Sequence, residues 1–296
     1  MNAPACLICG SARSRTVWRR DATRIERCLA CNLLFVAERP SEAELLGLYD
    51  GEALLKFDLH PGSSAEAAVP DWKNNEQMQL LDGVARLGVQ GGQLLDVGCF
   101  SGIFLSNAKQ RDFAVVGVEP NQDAYVRVHD VLGFNVVHGS LASAQFAAET
   151  FSVVSLLDVI EHVSDPVSEL REVLRILRPG GVLIITTPNV AGLPQRIVGG
   201  KRFLFGQDWC PIDGVPWHLY GFTRSTLRRC VENAGFQFRS VEWLEPSLLS
   251  TNIGAGSSGA KRLGLRLVGE ASKLLRMSDR IALFAQKGSG KDSAPS

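Results

Sequence analysis

Apolar and polar positions follow two different periods along the middle of the chain. Short apolar runs that begin near Leu94 predict β-strands, and the stretches between them have apolar residues three or four positions apart, which predicts helices. This alternation is typical of an α/β fold in which ligands bind beyond the carboxyl ends of parallel strands. The predicted strands are 93–97, 114–118, 135–138, 153–157 and 181–186, and the predicted helices are 102–111, 121–132, 166–177 and 223–234.

Two further strands and a helix are predicted near the end of the sequence. Phe236–Leu244 and Arg280–Gln286 have strand-like patterns, and Lys261–Arg276 combines basic residues with leucines at helical spacing. These leucines are Leu263, Leu267, Leu274 and Leu275. Two interpretations stay open: the leucines pack on the protein body, or the helix contacts a membrane surface or a partner.

These patterns divide the 296 residues into four parts. The α/β domain is the largest part, and it contains a cap segment at 191–217 and a basic helical insertion at 254–279. The parts are a four-cysteine segment at 1–36, a linker and lead-in at 37–71, the α/β domain at 72–287 and a disordered tail at 288–296.

Charge is balanced overall but unevenly distributed. The 31 basic and 31 acidic residues give a net charge of zero, which argues against a protein built uniformly for nucleic acid. Residues 1–36 carry +4 (six basic, two acidic), residues 37–260 carry −9 (17 basic, 26 acidic) and residues 261–296 carry +5 (eight basic, three acidic). The acidic middle of the chain repels a polyanion, so a small-molecule substrate is favoured over nucleic acid. A net charge of zero does not by itself exclude nucleic acid, because both ends of the chain are basic.

No signal-peptide pattern or transmembrane segment is evident. The first ten residues lack a basic start followed by an apolar stretch, and the longest apolar runs are too short to span a bilayer. We therefore expect a cytoplasmic protein, whose thiols stay reduced and are available to bind metal. The sequence gives no indication of oligomeric state.

Four of the seven cysteines have the spacing of a zinc site. Cys6 and Cys9 form one C-x-x-C pair, and Cys28 and Cys31 form a second pair after 18 intervening residues. Two residues between cysteines allow a tight turn that directs both sulfurs at one tetrahedral ion. Because four thiolates fill the coordination shell, the predicted Zn²⁺ is structural, and residues 1–36 are predicted to form a four-cysteine zinc ribbon.

A glycine-rich turn follows the first predicted strand of the α/β domain. Gly98 and Gly102 allow the backbone to turn sharply after Asp96 and to approach a ligand closely. Glu119 ends the next strand 23 residues after Asp96, and a carboxylate at this place accepts hydrogen bonds from the two hydroxyls of a ribose. The pair predicts a nucleoside-binding site.

Several motifs in this order resemble class I S-adenosylmethionine-dependent methyltransferases. The resemblance covers residues 72 to about 245 and is most specific to ubiquinone-pathway O-methyltransferases and to sugar and natural-product methyltransferases. The turn Leu177–Gly181 before the fifth strand is a marker of the same family. The matching segments are Leu94–Leu105, Val115–Asn121, Phe151–Pro166, Leu177–Asn189 and His218–Phe236.

The resemblance implies a Rossmann-like, mostly parallel seven-stranded sheet and S-adenosylmethionine as cofactor. Two positions depart from the family pattern: Phe100 replaces a usual glycine, and Ser140 replaces an acid that often meets the adenine amino group. The expected cofactor-binding residues are Asp96, Gly98, Cys99, Gly102, Glu119, Pro120, Asn121, Ser140 and Asp158.

The candidate catalytic residues are two histidines. Methyl transfer to oxygen or carbon usually needs a base, and histidine has a suitable pKa near neutral pH. His218 lies in a segment that often faces the substrate in the resembling family, and His162 follows the fourth strand. Trp217, Tyr220 and Glu161 are the predicted substrate contacts.

The sequence predicts a methyltransferase that acts on an oxygen or carbon of a small molecule, for instance a sugar or natural-product intermediate. Asp158–Glu161 stands where many amino-methylating enzymes have an Asn/Asp-Pro-Pro-aromatic motif, which disfavours nitrogen methylation. Two alternatives stay open. One is an RNA methyltransferase that uses the ribbon and basic tail to hold nucleic acid, and the other is a non-catalytic interaction protein with a weakened fold.

Overall fold

The computed structural model describes residues 4–41, 44–45, 71–206, 208–244 and 259–289. The predicted linker between 46 and 70, the start of the basic insertion at 254–258 and the tail from 290 onward lie outside the described residues.

A seven-stranded sheet confirms the predicted Rossmann-like α/β class. Its strand order is β10-β11-β8-β7-β4-β5-β6, and the pairs β4–β5, β4–β7 and β5–β6 are parallel. The strands are β4 (Gly92–Val97), β5 (Phe113–Glu119), β6 (Val136–His138), β7 (Phe151–Leu157), β8 (Leu177–Pro188), β10 (Gln237–Trp243) and β11 (Arg280–Gln286).

The helices follow the predicted alternation with the strands. In α1, Gly83 allows close packing, since a Cβ added there would collide with the Phe284 ring of β11. The α-helices are α1 (Asp71–Arg86), α2 (Ile103–Lys109), α3 (Gln122–Val126), α4 (Pro166–Ile176), α5 (Leu193–Leu204), α6 (Arg224–Asn233) and α7 (Gly259–Leu274).

Two elements differ from the predicted boundaries. The predicted helix 121–132 is α3 followed by a π-helix at Arg127–Val131, where the Leu132 amide donates to the Arg127 carbonyl at 3.0 Å. Strand β8 starts at Leu177 rather than 181, because hydrogen bonds between Gly180 and Lys287 and between Lys287 and Gly181 extend its pairing.

The chain forms two compact units. The first, the ribbon unit, comprises Met1–Arg39, Thr186–Cys230 and Ser240–Leu283. The second, the main unit, comprises Pro40–Ile185, Val231–Arg239 and Phe284–Ser296.

The ribbon unit contains a four-stranded sheet of order β1-β2-β3-β9. Strands β1 (Ser14–Arg20), β2 (Thr23–Cys28) and β3 (Leu34–Val36) come from the cysteine-rich start, and β9 (Tyr220–Gly221) comes from the segment before α6. Phe35 pairs with Tyr220 in an antiparallel register. The cysteine-rich segment therefore does not complete its sheet alone.

The core of the ribbon unit also joins distant parts of the sequence. Ile25, Leu34 and Ile212 are buried together, with Trp18, Val190 and other apolar side chains packed against them. A segment of about 36 residues buries too little apolar surface for a stable core by itself, which explains this shared packing.

Helix α7 is close to the predicted helix Lys261–Arg276, but the four leucines singled out from the sequence are exposed. Leu263, Leu267, Leu274 and Leu275 are 57% to 86% exposed, so the interpretation in which they pack on the protein body is wrong. Within the described ranges, no helix combines the length and apolar character needed to cross a membrane.

Candidate functional site

The main unit brings three polar strand ends together at one edge of its sheet. Asp96 of β4 is paired in register with Gly117 of β5 and with Ser155 of β7. Glu119 at the end of β5 is paired with His138 at the end of β6. The carboxyl ends of neighbouring parallel strands are the usual ligand site of this architecture.

Asp96 is a buried carboxylic acid with one hydrogen bond from a neighbouring strand. Its side chain is 3% exposed and accepts a hydrogen bond from the Ser155 hydroxyl at 2.7 Å. Burial raises the pKa of Asp96 to about 7, and the Ser155 hydrogen bond offsets only part of that rise. Ser155 was not among the residues predicted for the site, although a serine within the apolar run of β7 is a signal of a buried polar contact.

Glu119 is held in a fixed orientation by two backbone amides. Its Oε2 accepts from the Phe100 amide at 2.8 Å, and its Oε1 accepts from the Asn121 amide at 2.9 Å. Burial raises the pKa of Glu119 to about 7 in spite of these two donors. Each carboxylate oxygen has further acceptor capacity, so both oxygens suit the two hydroxyls of a ribose.

The turn after β4 depends on two glycines with positive φ. Gly98 has φ of 69°, and a Cβ there would lie 2.8 Å from a methyl carbon of Val159. Gly102 has φ of 73°, and a Cβ there would lie 3.2 Å from Val128 and Leu132. These glycines therefore allow a tight turn that larger residues would obstruct.

Cys99 and Phe100 lie between these glycines. The Cys99 amide donates to the Val118 carbonyl at 3.2 Å, and burial raises the pKa of its thiol. Phe100 has φ of 42°, a left-handed conformation that explains the glycine usual at this position in the resembling family. The substitution costs backbone strain but preserves the amide that binds Glu119.

The residues after β5 and β6 complete this edge of the sheet. The Asn121 side chain caps α3 by accepting from the Ala124 amide at 2.9 Å. Pro120 contributes its carbonyl, which lies 3.1 Å from Nε2 of His138. The centroid of the Tyr125 ring lies 5.0 Å from that of the His138 ring, a contact that was not predicted from the sequence.

Ser140 lies just beyond β6 in a turn of its own. Its hydroxyl accepts a hydrogen bond from the Ser143 amide at 3.3 Å, and its carbonyl accepts from the Ser143 hydroxyl at 2.9 Å. The side chain is partly exposed. Its predicted contact with adenine stays a prediction.

The end of β7 carries the remaining predicted residues of the main unit. Asp158 has φ of 57°, and strained backbone of this kind is common at functional sites. Glu161 is 1% exposed, and the His162 amide donates to the Val159 carbonyl at 2.9 Å.

His218 and Trp217 lie in a turn of the ribbon unit. Both of their amides donate to the Gly214 carbonyl, at 3.1 Å and 2.9 Å respectively. The His218 ring lies so close to Gly214, which has φ of 78°, that a Cβ there would be 2.9 Å from Nδ1. Gly214 therefore determines where the His218 ring can lie.

Tyr220 is buried in the same unit. It is 2% exposed, and its hydroxyl accepts a hydrogen bond from Nη1 of Arg39 at 3.0 Å. This placement favours a structural role, and the substrate contact of Tyr220 stays a prediction.

The four predicted zinc ligands form one cluster. All four sulfurs lie within 4.8 Å of one another, with Cys6–Cys31 and Cys9–Cys28 separations of 3.6 Å and 3.4 Å. Sulfurs bound to one tetrahedral zinc at about 2.3 Å are about 3.8 Å apart, so the cluster fits that ion.

The thiols of this cluster are in different electrostatic environments. Burial raises the pKa values of Cys6 and Cys31. Burial also opposes ionisation of Cys28, but hydrogen bonds from the amides of Cys31 and Ala30 outweigh it and lower its pKa to about 7. Cys28 therefore ionises most readily of these three.

The geometry of the main unit agrees with a match to a known family. Residues 72–241, more than half of the chain, match the family described as "Methyltransferase domain". The chain belongs to the class I S-adenosylmethionine-dependent methyltransferases. The match includes the turn after β4, Glu119 and the end of β7.

Curated relatives of this methyltransferase carry the name ubiquinone biosynthesis O-methyltransferase. The protein from Aeromonas salmonicida is 31% identical over 179 residues, which are 58% of this chain and 74% of the relative. The one from Cereibacter sphaeroides is 29% identical over 54% of this chain and 69% of the relative. For the Pseudomonas aeruginosa relative, at 34% identity over 35% of this chain, the match spans about half of its length (47%).

Solved structures agree on the fold. The [4+2]-cyclase SpnF aligns with a TM-score of 0.55 and 19% identity, over 84% of this chain and 98% of that chain. A SAM-dependent methyltransferase from Thermotoga maritima aligns with a TM-score of 0.50 and 18% identity, over 73% of this chain and 90% of that chain. At these identities the likeness shows the fold alone.

The described residues fit S-adenosylmethionine. Glu119 presents both oxygens in an orientation fixed by the backbone amides of Phe100 and Asn121. A buried carboxylate is costly unless a donor or a cation meets it, and the cofactor offers hydroxyl donors and positive charge.

Proposed function

We propose that the chain transfers a methyl group from S-adenosylmethionine to an oxygen, or a carbon, of a small-molecule acceptor. A sugar or natural-product intermediate is the acceptor class that we favour. The fixed orientation of the Glu119 carboxylate supports cofactor binding, and the O-methyltransferase names of the relatives support transfer to oxygen.

The cofactor supplies a methyl group already activated on a sulfonium. The protein must therefore bind the cofactor and the acceptor, orient the acceptor toward the methyl group and exclude water. We assign ribose binding to Glu119 and close backbone contact to the turn at Gly98. Asp96, which accepts a hydrogen bond from Ser155, would supply negative charge near the end of β4 once the positive charge of the bound cofactor offsets its burial. Pro120, Asn121, Ser140 and Asp158 complete the proposed cofactor-binding set at the strand ends.

We assign proton removal from the acceptor to His218. Its neutral imidazole accepts a proton from a hydroxyl, and Gly214 limits the positions that its ring can adopt. His162 is the second candidate base, and Trp217 and Glu161 are proposed acceptor contacts.

We propose a structural zinc ion for the cysteine cluster. Cys6, Cys9, Cys28 and Cys31 supply four thiolates, which leave no open coordination position. The ion would stabilise the turns that flank β1 and β2, because its ligands lie in those turns. The ribbon segment also shares its core with later parts of the chain, so the ion would stabilise that packing as well.

A methyl-transfer assay tests this function. Labelled S-adenosylmethionine is incubated with the protein and fractionated metabolite extracts, and label is followed into small molecules by chromatography. The proposal predicts labelled product with wild-type protein and at least tenfold less with His218→Ala, while cofactor affinity is unchanged. Label that enters only an RNase-sensitive fraction would instead support the RNA alternative.

A further inference from the structure

Exposed apolar side chains are concentrated on two helices of the ribbon unit. Of the twelve large hydrophobic residues that are exposed in the described part of the chain, eight lie on α5, on α7 or in the turn after each. Exposed apolar residues normally occur singly, and a cluster marks an interaction site. The eight are Ile197, Val198, Leu204, Phe205, Leu263, Leu267, Leu274 and Leu275.

The spacing of these residues places them in stripes. At 3.6 residues per turn, Leu263, Leu267 and Leu274 lie within about 40° of one another around α7. On α5, Ile197 and Leu204 are seven residues apart, and Val198 is seven residues before Phe205, which lies in the turn after the helix. Because α5 and α7 contact each other, the stripes belong to one helix pair.

The same helix pair is strongly basic in sequence. Residues 193–206 and 259–276 contain eight basic residues and one acidic residue, in a chain whose net charge is zero. The acidic residue, Glu270, lies on the leucine face of α7 with Arg266 and Lys273 at the spacing of helical ion pairs. The basic residues are Arg196, Lys201, Arg202, Lys261, Arg262, Arg266, Lys273 and Arg276.

Residues of α5 and of the turn after α7 also line a cavity that is rich in arginine. It has a volume of about 490 Å³, and Arg196 of α5 and Arg276 after α7 line it together with Arg224 and Arg228 of α6. No carboxylate is among its described lining residues, and Trp243 provides an aromatic wall. Guanidinium groups recognise phosphate by paired hydrogen bonds, so this cavity suits a phosphate group.

We infer that the helix pair α5–α7 binds the surface of an anionic lipid bilayer. The exposed leucine and phenylalanine side chains enter the boundary between headgroups and acyl chains. The described basic side chains contact lipid phosphates; these are Arg196, Arg202, Arg266, Lys273 and Arg276. The arginine-lined cavity receives one phosphate headgroup. A second copy of this chain is a poorer occupant, since two such basic faces repel each other.

Vesicle co-sedimentation tests the inference without cofactor or acceptor, and so does not depend on the proposed function. Vesicles of phosphatidylglycerol and phosphatidylcholine in equal parts are compared with vesicles of phosphatidylcholine alone. The inference predicts binding to the anionic vesicles, at least tenfold weaker binding to the neutral ones, and loss of binding at high salt.

Variants separate the apolar contribution from the electrostatic one. The triple variant Leu263→Ser, Leu267→Ser, Leu274→Ser should bind anionic vesicles at least tenfold more weakly than wild type. The double variant Arg196→Gln, Arg276→Gln should weaken binding while leaving fold and thermal stability intact. Val131→Ser is the control, because Val131 is 66% exposed but lies in the main unit. This variant should bind anionic vesicles as tightly as wild type does.

Three results would overturn the inference. The first is equal binding to neutral and anionic vesicles, or none to either. The second is unchanged binding by the folded leucine variant, checked by circular dichroism. The third is a wild-type dimer in sedimentation equilibrium that the leucine substitutions convert to monomer, with no vesicle binding by either form, which would assign the face to a second copy.

Discussion

At the scale of single residues, the candidate site rests on two buried carboxylic acids. Asp96 and Glu119 are 3% and 4% exposed, and burial raises both pKa values to about 7. Such pKa shifts are frequent at functional sites, where a bound ligand supplies the hydrogen bonds or positive charge that replace the water lost on burial. Both acids were predicted from the sequence, because an acid at the end of each of two predicted strands is an unusual pattern.

The shifted acids predict a pH dependence of stability in the cofactor-free protein. Both pKa values are higher in the folded than in the unfolded state, so the folded protein binds more protons between about pH 4 and 7 and loses stability as pH rises through that window. In Asp96→Asn the pH-dependent contribution of residue 96 to the free energy of unfolding, on the order of 2–4 kcal/mol, is absent.

Thermal melts between pH 5 and 8 measure this effect. Relative to Asp96→Asn, wild-type Tm should fall as pH rises. A difference between the two proteins that stays constant, or changes in the opposite direction, would show that Asp96 is not a raised-pKa acid.

Gly214 provides a residue-scale test of the proposed role of His218. Gly214→Ala places a Cβ 2.9 Å to 3.1 Å from the His218 ring and also strains a backbone with φ of 78°. We expect turnover to fall at least tenfold while S-adenosylmethionine affinity changes less than twofold, measured by the methyl-transfer assay and by calorimetry.

Gly206→Ala is the matched control. Gly206 has φ of 62°, yet a Cβ there meets nothing within 4 Å, so it reproduces the backbone strain without the contact. Each substitution should cost on the order of 1 kcal/mol of stability through that strain. If the two variants lose turnover equally, displacement of the His218 ring is not the cause.

At the scale of elements, the strands of the main sheet were predictable within about two residues, apart from the early start of β8. Their apolar runs are long enough to distinguish them from turns, and glycines or acids mark their ends. Strand β9 was not predictable, because Tyr220–Gly221 is two residues long and its partner, β3, is far away in sequence. The π-helix after α3 was not predictable either, because its apolar spacing resembles that of an α-helix.

The shared sheet of the ribbon unit predicts what loss of metal does. Removal of zinc by a chelator, or Cys28→Ser, should lower the melting temperature. It should also change the tryptophan fluorescence of the protein, because Trp18 packs on the core that contains Ile25 and Ile212. Metal analysis should find one zinc ion per wild-type chain and substantially less in the variant.

Cys210→Ser is the control for this experiment. The Cys210 sulfur donates to the Ile212 carbonyl at 2.9 Å, which a serine hydroxyl can also do, and Cys210 is outside the cysteine cluster. Its zinc content should equal that of wild type. Full zinc occupancy in Cys28→Ser, or none in wild type, would refute the zinc assignment.

At the scale of the whole molecule, the residues of the site, and not the fold, determine which reaction the protein catalyses. The structural likeness to the [4+2]-cyclase SpnF extends over most of this chain, so the architecture does not by itself determine the reaction. Charge is likewise informative only in its distribution. The neutral total conceals a basic helix pair in the ribbon unit and an acidic middle of the sequence.

The most direct test of the central claim is a calorimetric titration of S-adenosylmethionine into wild-type protein and Glu119→Gln. We predict one binding site per wild-type chain and at least tenfold weaker binding by the variant, because the amide removes the negative charge that receives the ribose hydroxyls. No heat and no thermal shift with wild-type protein, or equal affinity in a correctly folded Glu119→Gln, would contradict the account.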